Sequence, residues 1–245
     1  MIVNLRGLVL FSLLIHAAAL FAQSTALQLC TQDRFSAGAM KRSGNSTIAT
    51  GQVDYCSAAI ALKAQELRIT RTAQQSQLHA SGAPMQLAQA SRNVQLNATL
   101  DHLSFDSELS YFELQNLAPL QVQQSASQSM TVTAQLARFY VASGEAPVNF
   151  SSPDLRADRL TLTGAPVTLQ LHNNQPTATV ISADSIEYDF ATAILQLRGN
   201  VTITQGQQTI TAAGLIYHLN DGSWETPADS QQRIQIIDHS NKEQP

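Results

Sequence analysis

One short apolar pattern recurs seven times and constrains this chain more than any other feature. In each copy an apolar or small residue is followed by another two positions later, then by two apolar residues at offsets five and seven. The copies are Ile48-x-Thr50-x-x-Val53-x-Tyr55, Leu62-x-Ala64-x-x-Leu67-x-Ile69, Ala98-x-Leu100-x-x-Leu103-x-Phe105, Val132-x-Ala134-x-x-Ala137-x-Phe139, Leu155-x-Ala157-x-x-Leu160-x-Leu162, Ile181-x-Ala183-x-x-Ile186-x-Tyr188 and Ile210-x-Ala212-x-x-Leu215-x-Tyr217. Every second residue of a strand lies on one face. The three-residue gap in the middle would therefore throw the later pair onto the opposite face. One extra residue, a β-bulge or bend, restores both pairs to the same side. The pattern predicts long, curved strands whose concave face is apolar at both ends and small in the middle.

Helical periodicity is scarce, and alternating runs rich in Thr, Val, Ile and Leu fill the chain, so the fold class is all-β. In the run from Ala193 to Gln205, Leu195, Leu197, Val201 and Ile203 share one face, with Gln196, Arg198, Asn200, Thr202 and Thr204 on the other. Successive copies begin 14 to 36 residues apart, too irregular for a strict solenoid and suited to strand pairs with loops of varying length. Ser81-Gly82-Ala83-Pro84, Thr163-Gly164-Ala165-Pro166, Asn173-Asn174-Gln175-Pro176 and Asn220-Asp221-Gly222 read as turns between them. No composition shift marks a linker, so residues 23–237 are expected to form one stacked sheet, with 238–245 as a polar tail.

Charged residues make up 13% of the chain, hydrophobic ones 44%, and the net charge is -4. No basic field is present to hold a phosphate backbone, which speaks against a nucleic-acid partner. The signatures GxSxG, HExxH, the P-loop and the dinucleotide glycine pattern are missing. His79, His102, His172, His218 and His239 are scattered without metal-ligand spacing, so neither metal nor cofactor is expected. Asp101-His102 selects no nucleophile, and Glu187 and Asp189 read as the wet face of a strand. Trp224, Tyr188 and Tyr217 read as packing residues. The expectation is a protein that is not an enzyme.

The first residues read as an address. Asn4-Leu5-Arg6 gives a positive start, Gly7 to Ala22 is apolar apart from Ser12 and His16, and Gln23-Ser24-Thr25 follows. The run is short of the roughly 20 residues of a membrane span, and it ends in small residues, as a secretory signal does. Residues 1–22 are therefore expected to be a cleaved signal peptide. An uncleaved first segment is the alternative. Export would place Cys30 and Cys56, the sole cysteines, in an oxidising compartment as one disulfide.

The stretch from Gly164-Ala165-Pro166 to Leu219 carries a family resemblance. Gly-x-Pro is followed by Ile181-Ser182-Ala183-Asp184-Ser185-Ile186-Glu187-Tyr188-Asp189, then Leu197-Arg198-Gly199-Asn200-Val201, Gln205-Gly206 and Ile210-Thr211-Ala212-Ala213-Gly214-Leu215-Ile216-Tyr217. A looser copy runs from Leu62-Lys63-Ala64-Gln65-Glu66-Leu67 to Gly82-Ala83-Pro84. In this order the chain resembles the periplasmic lipopolysaccharide-transport bridge proteins, the OstA/LptA-like family. The strict part covers about a quarter of the chain, and residues 93–153 match only through the repeat, as an extra set of strands.

The resemblance implies a twisted, open β-jellyroll with a hydrophobic interior groove that shelters lipid A acyl chains. Its members join edge to edge, which implies inner-membrane and outer-membrane components of the lipopolysaccharide transport machinery as partners, and head-to-tail self-association. Candidate groove residues are Leu62, Leu67, Ile69, Leu160, Leu162, Ile181, Ile186, Tyr188, Leu195, Leu197, Val201, Ile203, Ile210, Leu215 and Tyr217. Each buried methylene is worth roughly 0.8 kcal/mol, so area alone can hold a lipid. Two alternatives stay open: a membrane-tethered component of the same machinery, and a structural β module packed shut and acting through its edges.

Overall fold

The computed structural model describes residues 27–238 apart from 126–127, 143–149, 151, 153, 173–177 and 228–233. The signal-peptide reading of residues 1–22 and the turn at Asn173-Asn174-Gln175-Pro176 lie outside the described residues. All regular structure among them is strand: β1 (Arg34–Ser36), β2 (Ala39–Ser43), β3 (Ser46–Cys56), β4 (Ile60–Arg71), β5 (Ser76–Ala90), β6 (Gln95–Asp106), β7 (Tyr111–Ser125), β8 (Gln128–Ala142), β9 (Arg156–His172), β10 (Thr179–Asp189), β11 (Ile194–Gln205), β12 (Gln208–His218), β13 (Trp224–Glu225) and β14 (Gln235–Asp238). They form one 14-stranded antiparallel sheet in which β3 to β12 pair in sequence order. The sheet is open. At one edge β1 and β2 pair with opposite halves of β3, and at the other β13 and β14 pair with opposite halves of β12.

The pattern read from the sequence sets the shape. Register shifts fall between Thr50 and Val53, Lys63 and Glu66, Thr133 and Leu136, Ala183 and Ser185, and Arg198 and Val201. The first and fourth lie in the three-residue gaps of their copies, the second and third begin one residue before theirs, and the last lies on the strand facing the final copy. Aligned across the sheet, they fold each long strand into two limbs that face each other. The first limb carries Leu67 and Phe105, and the second carries Leu62 and Leu169.

Two of the predicted turns are bends inside strands. Gly82-Ala83-Pro84 lies within β5 and Gly164-Ala165-Pro166 within β9, both with cis prolines. A Cβ on Gly82 would stand 3.0 Å from the Gln65 backbone nitrogen, and one on Gly164 3.3 Å from that of Gln135. The neighbouring strand comes so close that a side chain would crowd its backbone, and proline, lacking an N–H, suits a point where the ladder is interrupted. Two boundaries also shift. Leu155 precedes β9 instead of opening it, and Asp238 belongs to β14 instead of the tail.

Four-strand units repeat along the sheet. The bend at Gly82 in β5 recurs at Gly164 in β9. Asn116, at φ 55, donates to Asp101 on the adjacent strand (3.0 Å), and Asn200, at φ 47, donates to Asp184 (3.0 Å). Asp106 accepts from the Glu108 amide and Asp189 from the Ala191 amide, each opening a turn that ends on a residue with positive φ, Ser110 and Ala193. The units β5–β8 and β9–β12 are thus built alike. Their leading connections differ: four residues, 72–75, precede β5, and thirteen, 143–155, precede β9.

Candidate functional site

The two limbs enclose an apolar interior made of rows that cross the sheet in register. One row on the first limb runs Met40, Ala49, Leu67, Ala80, Leu103, Leu114, Ala137, Leu162, Ile186, Leu197, Leu215. Beside it run Ile69, Leu78, Phe105, Phe112, Phe139, Leu160, Tyr188, Leu195, Tyr217 and Trp224. On the second limb Leu120, Val132, Leu169, Ile181, Ile203, Ile210 and Ile236 align. These rows contain no charged side chain.

Fourteen of the fifteen candidate groove residues are buried, none more than 3% exposed, and they share one continuous cluster. Ile69 is half-buried and packs against that cluster. Thr202, on the opposite face of β11, is half-buried between strands. The limbs close on each other, and the rows are sealed from solvent except at their ends. There Met40 is 59% and Ile236 50% exposed, at opposite edges of the sheet.

The strand ends opposite the bends form a mouth, and side chains cross it. The Tyr188 hydroxyl donates to Gln124 Oε1 at 2.5 Å, and Gln124 Nε2 donates to the Phe190 carbonyl at 3.1 Å. Burial pushes the Tyr188 phenol up to about 12. The Asn93 side chain donates to the Ala157 carbonyl and accepts from the Ala157 amide, both at 2.9 Å. The Arg92 amide donates to the Leu155 carbonyl at 2.7 Å, while its guanidinium meets Asp154 at 2.8 Å. Phe150 is fully buried, its ring edge-on to Tyr55 of the second limb and Phe105 of the first.

The outer face is polar and internally paired. Arg138 donates to Glu113 at 2.9 Å, Arg159 to Glu187 at 3.3 Å, and Arg159 covers the Tyr140 ring at 4.3 Å. Burial raises the Glu113 carboxyl, but hydrogen bonds from Arg138 and Gln115 outweigh it and hold the group below its ordinary range. An open hollow of about 450 Å³ across β4–β7 is lined by Glu66, Arg68, His79, His102, Ser104 and Glu113. No group of acidic, histidine or cysteine side chains there or elsewhere among the described residues has metal-binding geometry.

Cys30 and Cys56 are joined, with Cα atoms 5.6 Å apart, and fix the segment before β1 to the end of β3. Sequence reasoning missed Phe112, Phe150, Met40 and Ile236 as interior or row-ending residues. Phe112 sits in an alternating run, Phe112-x-Leu114, that was legible. Phe150 had no periodic neighbours to reveal it, and the assignments of Met40 and Ile236 depend on register that only pairing supplies.

An open, bent antiparallel sheet with an apolar concave face and a polar convex one defines an open β-jellyroll. Residues 142–223 and, overlapping them, 180–244 match the family described as LptA/(LptD N-terminal domain) LPS transport protein. Over these residues the chain is similar to this LptA-like family. Among solved structures it is similar to LptH, described as the LptA-homologous periplasmic component of the lipopolysaccharide transport device of Pseudomonas aeruginosa. That similarity has 12% identity and a TM-score of 0.45, covering 58% of this chain and 93% of LptH. Comparison with curated proteins gives no match.

Proposed function

We propose that the protein is a periplasmic, non-catalytic lipopolysaccharide-binding transport protein, exported after loss of residues 1–22. Lipid A acyl chains lodge between the two limbs, and copies or partner jellyrolls join at the sheet edges to bridge inner and outer membranes during outer-membrane assembly. The observation that carries this reading is that apolar inner rows reach both edges of the sheet, one on each limb. A closed structural core would finish each edge with polar residues, since exposed apolar edges invite unwanted pairing. Here the inner rows end on exposed Met40 and Ile236 instead. A second sheet adding at an edge would prolong the inner row that ends there, so an acyl chain could pass between the limbs from one sheet to the next without meeting water. The family match supports the substrate class.

A photo-crosslinking amino acid at Leu197 or Ile203, inside the limbs, is expected to capture lipopolysaccharide in cells, and one at Thr202 to capture none. Equal capture at all three positions would contradict an interior site.

A further inference from the structure

The internal repeat allows one stretch of the outer face to be compared with its own copy. Gln65 and Gln135 stand against the equivalent glycines, Gly82 and Gly164. Arg68 lies three residues past the first glutamine and Arg138 three past the second. Arg68 pairs in register with His79 of β5, and Arg138 with Thr161 of β9. His79 then faces Ser104, and Thr161 faces Glu187. The two arginines therefore hold one position of the fold in two environments. Opposite Arg138 on the preceding strand stands Glu113, which accepts from it at 2.9 Å. Opposite Arg68 on the preceding strand stands Ile48, and no carboxylate lies within ion-pair distance of Arg68 among the described residues.

The hollow across β4–β7 sits at this place. Where the later copy has Glu187, which accepts from Arg159, the earlier one has the short Ser104. With Ser81 on the neighbouring strand it leaves the centre low, and longer side chains rise around it. Its volume, about 450 Å³, falls within the range of small-ligand sites and is far more than a single ion fills. Residues directly opposite on antiparallel strands have Cβ atoms roughly 5 Å apart, and diagonal ones roughly 7 Å. Arg68 and His79 are opposite, and His102, opposite Ser81, is diagonal to His79. A guanidinium and two imidazoles thus follow one diagonal of the hollow, at spacings that a single oxyanion bridges. The later copy has Ser185 opposite Thr163, where the earlier has His102 opposite Ser81.

The nearby acids are mostly engaged. Glu113 accepts from Arg138 and from Gln115, and Asp106, which acts on His79 from β6, accepts from Gln75 and Gln77. Glu66, two residues before Arg68 on the same face, is left to accept from hydroxyl groups. A cationic diagonal beside one carboxylate and two serine hydroxyls matches a molecule with an anionic group at one end and several hydroxyls at the other.

We propose that this hollow is a binding site for a sugar phosphate. Arg68 donates to two phosphate oxygens as a bidentate pair, and His79 and His102 donate to the oxygens on the other side. Glu66, Ser81 and Ser104 meet the ring hydroxyls. The site lies on the convex face, with the sheet between it and the apolar interior, so it is independent of the lipid groove and adds a water-soluble ligand class.

The test is isothermal titration calorimetry of the purified protein in physiological salt with glucose 1-phosphate, glucose 6-phosphate, inorganic phosphate and glucose. At least one sugar phosphate is expected to bind, more tightly than inorganic phosphate, and glucose to give no measurable heat. Arg68→Gln is expected to weaken that binding about tenfold, as loss of a charged hydrogen-bond donor does. His79→Gln and His102→Gln are expected to weaken it several-fold each. Arg159→Gln, in the paired ladder of the later copy, is expected to leave it unchanged. No binding of either sugar phosphate to the folded protein, or wild-type affinity in Arg68→Gln, overturns the proposal. So does an equal loss in Arg159→Gln, which would mark a general effect of charge, or inorganic phosphate binding as tightly as the sugar phosphates. Lipopolysaccharide capture through Leu197 is expected to be the same in Arg68→Gln as in the wild type, and its loss there would overturn the independence of the two sites.

Discussion

Gly199 and Asn200 turn a corner that few other residues could. Both have positive φ, and a Cβ on Gly199 would come within 2.2 Å of the Asp184 carboxylate that Asn200 holds. Gly44 also has positive φ, but nothing lies within 4 Å of its missing side chain. Gly44→Ala is therefore expected to cost only the left-handed backbone penalty, about 1–2 kcal/mol, and Gly199→Ala distinctly more, as read from denaturant midpoints. Titration has a definite sign. Glu113, Asp106 and Asp189 are all held below their ordinary values. For Glu113 and Asp106, burial acts upward and hydrogen bonds prevail; for Asp189 the Thr192 amide is the leading influence. Carboxylates of this kind contribute stability above the unfolded range near pH ~4 and lose it as the pH falls through their folded values. Stability should be flat near neutrality and drop below about pH 4, where Glu113→Gln drops less steeply. At the alkaline end the Tyr188 phenol, pushed up to about 12 by burial, favours the fold in its neutral form. Stability should fall once the pH exceeds about 10, the unfolded tyrosine value.

The bends of the strands were legible because an apolar face imposes parity, and a three-residue gap breaks parity wherever the chain falls. Gly82-Ala83-Pro84 and Gly164-Ala165-Pro166 were misread for a related reason. The same residues serve a turn and a mid-strand bend, and only the close approach of Gln65 and Gln135 distinguishes the two. The edge elements were least legible, since β2 and β14 are short and exposed on both faces and so carry no periodicity. Their exposure defines a test of assembly. Ile236→Lys, which places a charge at the end of an inner row, is expected to abolish self-association measured by sedimentation while leaving thermal stability unchanged. Persistence of the same oligomers would place the contact elsewhere. The disulfide acts at the other edge. Replacing Cys30 and Cys56 with serine should cost about 2–5 kcal/mol and release the segment before β1 first, as read by hydrogen exchange.

At the scale of the whole molecule, a single sheet folded along one line of bends yields two limbs with an apolar interior between them and a polar surface outside. This arrangement followed from the repeat, and the burial of fourteen candidate residues accords with it. How tightly the limbs close did not follow, because closure depends on Phe150, Asn93 and Gln124, whose partners lie 64 or more residues away or on another limb. The central claim is that lipid chains replace this limb-to-limb packing. Native mass spectrometry of the protein with lipopolysaccharide or with phospholipid at equal concentration tests it most directly. The account predicts a one-to-one adduct with lipopolysaccharide and little or none with phospholipid. No adduct with either, from folded protein, would contradict it and leave a packed sheet that works through its edges alone.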